Sequence, residues 1–68
     1  MSQADTFTVA TKELAPNGKP EMAKMLSQGI SDPLEAFKAI PTLARAAGLD
    51  PTQVGIFLRG QHVNWQPL

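Results

Sequence analysis

The chain has 68 residues, no cysteine, one histidine and no net charge at neutral pH. Without cysteine there is no disulfide framework and no thiolate chemistry. With His62 as the only imidazole, a metal site would have to be built from scattered carboxylates, which argues against zinc. No apolar run approaches the roughly 20 residues that cross a bilayer. The opening segment MSQADTFTVA lacks a basic stretch followed by an apolar one. A soluble, cytoplasmic protein is the expectation.

Six basic residues (Lys12, Lys19, Lys24, Lys38, Arg45, Arg59) stand against six acidic ones (Asp5, Glu13, Glu21, Asp32, Glu35, Asp50). Non-specific affinity for DNA comes mostly from cations that neutralise phosphates. Neither half of this chain is basic, so any nucleic-acid contact has to use a locally sorted patch. Catalysis finds little support either: no nucleophile pairs with His62, and Asp32 and Glu35 suit the first turn of a helix, where negative charge is favourable. No second glycine follows Gly18 or Gly48 at the spacing of a phosphate-binding loop. The expectation is neither enzyme nor cofactor carrier. A chain this short buries only about 60% of its unfolded surface, so a dimer partner or ligand would help stabilise it.

What is present is clear punctuation by proline and glycine. In TFTVATKEL, Phe7 and Val9 alternate with threonines, which suits a strand or an extended arm over residues 1–14. APNGKP is a turn by backbone chemistry, because glycine supplies a positive φ and proline fixes its own. Beyond it, Met22, Met25 and Leu26 fall at i, i+3 and i+4, and Gly29 follows as a helix stop; this predicts a helix near 20–28. Asp32 as N-cap and Pro33 in the first turn open a second helix near 33–40, which Pro41 should break. Helices near 41–47 and 51–59 complete the set. The last is delimited by Asp50 and Pro51 at its start and Gly60 at its end.

Between these last two helices, Gly48 suits a tight corner. Leu43, Ala44, Ala47, Leu49, Val54 and Phe57 supply small or buried positions on either side of it. Over Pro41 to Gly60 this pattern resembles the helix-turn-helix unit of phage repressor and Cro-like regulators. The resemblance implies a mainly α bundle of short helices over residues 15–68 and a sequence-specific transcription regulator. It would insert helix 51–59 into the major groove of double-stranded DNA. The candidate contacts are Thr52, Gln53, Gly55, Ile56 and Arg59 on that helix, with Thr42 and Arg45 on the preceding one. It also implies a homodimer through Val63–Leu68.

A bland reading stands beside each of these. Arg59 suits a solvated helix end, Asp50 is explained by capping, and Ile56 offers a base neither donor nor acceptor. The alternative function is therefore a small protein-interaction module of the same fold, an inhibitor or anti-repressor docking on a host protein through Ile56 and its neighbours. In the tail, Val63 and Trp65 alternate as a strand would, so a two-stranded ribbon with TFTVAT is a further expectation. The indole of Trp65 suits the core.

Overall fold

A computed structural model describes residues 6–67, and the architecture is mainly β. The elements run β1 (Phe7–Leu14), β2 (Pro20–Ile30), α1 (Pro33–Ala46), a single 3-10 turn (Pro51–Gln53), β3 (Val54–Leu58) and β4 (Gln61–Val63). The strands form one antiparallel sheet in the order β2-β1-β3-β4. The expected mainly α bundle and the resemblance to repressor and Cro-like helix-turn-helix proteins are thereby overturned. The segment expected to enter the major groove as helix 51–59 is the 3-10 turn followed by β3. Whatever was expected of residues 1–5 and of Leu68 lies outside the described residues.

The β1–β2 turn forms as its residues dictate. Gly18 has φ +81°, its N–H donates to the Ala15 carbonyl at 2.8 Å, and the Lys19 N–H donates to Asn17 Oδ1 at 3.0 Å. The segment expected as helix 20–28 is instead β2, and the reason lies in its register. Eight steps along β2 from Met22 to Ile30 are matched by five along β1 from Lys12 to Phe7, with irregularities between each group of pairs. Extra residues of this kind are β-bulges, and each interrupts the strand's alternation of two. Met22 and Met25 pair with Lys12 and Ala10, whereas Leu26 and Ile30 pack on the core with α1, so their helix-like spacing marks no common face. At one bulge the Thr11 hydroxyl accepts the Lys24 N–H at 2.9 Å.

Strands β2 and β3 both run antiparallel to β1 and so parallel to each other. Their connection has to cross the sheet, and α1 is that crossover. Asp32 caps it by accepting the Leu34 N–H at 3.0 Å. The break expected at Pro41 does not occur: 33–40 and 41–47 are one helix, with Pro41 inside it. An interior proline costs about 3 kcal/mol. The stripe of Ala36, Ile40, Leu43 and Ala44, which packs in the core on both sides of Pro41, offsets that cost. The helix ends at a glycine with φ +72°, Gly48; the Leu49 N–H returns to the Ala44 carbonyl and the Gly48 N–H to that of Arg45. This is a Schellman motif, with Leu49 packed on the core as its apolar partner.

The expected helix 51–59 is the largest correction. Asp50 opens a capping box as its chemistry suggests, but the helical turn stops after Gln53 and the chain becomes β3. Val54, Ile56 and Phe57 are β-branched or aromatic, and Gly55 penalises a helix by about 1 kcal/mol. Gly60 does not end a helix. With Arg59 at φ +53° and Gly60 at φ +78°, the two form the tight loop of a β3–β4 hairpin, both central residues left-handed. The expected ribbon between the two terminal segments is also absent, because β3 lies between β1 and β4.

Both faces of the sheet are buried, by different means. On one face, Val9, Val54 and Ile56 pack with Ala36 and Ala44 of α1, flanked by Phe7, Leu26, Val63 and Trp65. Alternation sends Ala10 and Phe57 to the other face, and both are fully buried there. No helix covers that face among the described residues. Instead β2 and β4, the two ends of the sheet order, touch each other, so the sheet rolls around Phe57.

Candidate functional site

The pairing of β4 with β3 covers only Ile56, Phe57 and Leu58, which leaves Val54 and Gly55 beyond its reach. Past Val63 the chain departs from the sheet and lays Trp65 against α1, its ring 5.7 Å from that of Phe37 at a 59° tilt. A groove of about 520 Å³ opens between this departing segment, α1 and the start of β3. Its apolar walls are Phe37, Ile40, Ile56, Val63 and Trp65. Phe37 is 37% exposed and forms part of that wall.

Polar groups enter this groove from β1 and β4. Gly55 lies between Lys12 and His62: a Cβ at that position would stand 2.8 Å from Lys12 Cδ and 3.0 Å from the His62 ring. The missing side chain of Gly55 is thus the space in which the two basic groups come together. The imidazole of His62 also meets Phe57 edge-on, with ring centroids 5.4 Å apart. Burial first, and the Lys12 ammonium second, hold the His62 pKa below its ordinary value near 6.5. Among the described residues no aspartate or glutamate lines this groove. On its other side His62 borders a second cavity of about 430 Å³, where Lys19 and Glu21 bring one charge of each sign.

The residues expected to touch DNA fall on α1, the 3-10 turn, β3 and the β3–β4 loop, and they differ in exposure. Thr42 and Arg45 lie exposed on α1, and Arg59 is exposed in the β3–β4 loop. Thr52 and Gln53 hold their own turn: the Thr52 N–H and hydroxyl both donate to Asp50 Oδ1 at 3.0 Å, and Gln53 Oε1 accepts the Asp50 N–H at 3.0 Å. The two bonds from Thr52, the backbone one foremost, also lower the Asp50 pKa. Ile56 is 3% exposed and Gly55 is buried, so neither can present itself to a base edge. The groove does gather Thr52, Gly55 and Ile56.

Lys12, Phe37, His62 and Trp65 were not marked as a site by their spacing. Alternation along QHV puts His62 on the face opposite Val63, but only the order of strands brings it to Lys12, fifty positions away. Among the described residues no three of His, Cys, Asp or Glu come close enough to hold a metal, and no helix is long and apolar enough to cross a membrane. Comparison with protein-family models, curated proteins and solved structures gave no match.

Proposed function

We propose that this chain is a small, non-catalytic protein-interaction module that takes a bulky apolar residue of a partner polypeptide into the groove between α1 and β3. The observation that carries this reading is the groove itself. Its volume falls within the roughly 300–1,000 Å³ of binding pockets, and its make-up is typical of them: aliphatic and aromatic walls with a few converging polar groups. Aromatic anchors seated in such depressions dominate the energetics of protein interfaces. The half-exposed Phe37 and the adjacent Trp65 supply that environment before any partner arrives. DNA is not the partner in this reading, since the segment meant to read it is an interior strand.

The test is a titration of the intact chain with two neutral peptides, acetyl-Ala-Ala-Phe-Leu-amide and its tetra-alanine counterpart, followed by amide NMR shifts. The Phe-Leu peptide should shift Phe37, Ile40, Gly55, Val63 and the Trp65 indole, and the alanine peptide should shift none of them. Shifts confined to another surface, or no shifts with the Phe-Leu peptide, would contradict the reading.

A further inference from the structure

The groove carries a charge of one sign. Lys12 and His62 converge over Gly55, and among the described residues every other one lining the groove is apolar or neutral. An isolated cation beside an apolar cleft is costly to desolvate unless the ligand that covers it brings the opposite charge. We infer that the groove recognises the C-terminus of a partner polypeptide ending in a bulky apolar residue, with the terminal carboxylate held between Lys12 and His62. This rests on the reading of the groove as a protein-binding site and adds the chemistry of its ligand.

The geometry favours a chain terminus over an acidic side chain. Gly55, where the two basic side chains meet, and Ile56 turn to opposite faces of β3, and the groove of about 520 Å³ takes in both sides of the strand's start, which β4 leaves uncovered. A groove of that size brings the carboxylate and the apolar group of its ligand within the span of one residue. In a C-terminal residue both are attached to one Cα, whereas a glutamate holds its carboxylate at the end of its own stem. Lys12 supplies the charge. The His62 ring, uncharged near neutral pH because its pKa is held down, supplies an N–H donor to one carboxylate oxygen. The charged groups around His62 are Lys12 from β1, and Lys19 and Glu21 from the β1–β2 turn and β2; these last two share the second cavity, on the far side of the ring.

The experiment compares three peptides on the full chain: acetyl-Ala-Ala-Phe-Leu with a free C-terminus, the same sequence as its amide, and the amide acetyl-Ala-Glu-Phe-Leu-amide. The free acid should bind about tenfold more tightly than its amide, the range of a charge-assisted hydrogen bond, and the advantage should shrink with added salt. The internal glutamate should recover little of it. In Lys12→Met the acid-to-amide ratio should fall toward one, and in Lys12→Arg it should persist; amide shift dispersion reports whether each variant is folded. The salt series on the unmodified chain reads the same charge contact without any variant. If acid and amide bind equally while the neutral peptide still finds the groove, this inference fails and the proposed function stands. If the glutamate peptide matches the free acid, the assignment to a chain terminus is overturned. If no peptide binds, both fail together.

Discussion

The two faces of the sheet bury similar apolar groups with opposite neighbours. On the helix-covered face, Val9, Val54 and Ile56 meet Ala36 and Ala44, small residues that let α1 approach closely. On the rolled face a single large ring, Phe57, is sealed by curvature and by His62 set edge-on against it. The first face is an ordinary apolar core. The second mixes its buried ring with titratable groups, so a chemical response to pH or to an anion belongs there. The difference shows how a short chain buries both sides of a sheet with one helix.

The sharpest way to break this comparison uses adjacent residues. Phe57→Ala should cost about 3–5 kcal/mol and Ile56→Ala about 2–5 kcal/mol, measured by urea unfolding. Energies alone do not separate them, but the imidazole shifts of His62 do. Phe57→Ala should move these resonances by removing the ring current, and Ile56→Ala should leave them nearly in place. Equal movement in both variants would mean that the faces are not distinct.

Ala44→Leu attacks the helix-covered face alone. Overpacking at this fully buried position should cost about 1–3 kcal/mol and shift α1 and β1 resonances, with Phe57 and His62 undisturbed. Asp32→Ala, which removes the N-cap of α1, should cost about 1 kcal/mol by the same denaturation measurement. An unchanged midpoint would mean that the helix start is held by other contacts.

The smallest expected effect is the pH response of the rolled face. The folded chain holds the His62 pKa below its ordinary value near 6.5, so the unfolded chain takes up the proton first as the pH falls. Stability should therefore decline on acidification from about 6.5 downward, and His62 should contribute no slope above that range, where both states are neutral. Asp50, with its pKa lowered in the fold, adds a loss at the acid end of the scale. His62→Gln should abolish the upper part of the decline in urea midpoint and leave the lower part. An identical profile in the variant would remove His62 from the pH response.

Local chemistry in the sequence was legible wherever one residue acts on its own backbone. The Asn17-Gly18 turn, the caps at Asp32 and Asp50 and the positive φ of Gly48 all follow from side-chain donors, acceptors or a missing Cβ. Periodicity failed where tertiary pairing altered it. The bulges of β2 exist only because β1 lies beside them, and VGIFL satisfies a helical stripe as well as an alternating one. Its strand partners, Phe7–Thr11 of β1 and Gln61–Val63 of β4, decide between the two. Pro41 misled for a similar reason, since the core that compensates for it spans elements distant in sequence. Of the groove, Thr52, Gly55 and Ile56 were singled out for another purpose. The convergence of Lys12 with His62 is a product of strand order, which no spacing within one segment records.

The whole account depends on residues 54–58 being a strand between β1 and β4, since that places Phe57, Gly55 and the groove. Nuclear Overhauser contacts between α-protons test this most directly. The antiparallel register predicts strong Hα–Hα contacts for Val9 with Ile56 and for Phe57 with His62. An unbroken series of sequential amide contacts from Thr52 to Arg59, with neither cross-strand pair, would mean a helix there and would contradict both the fold and the site.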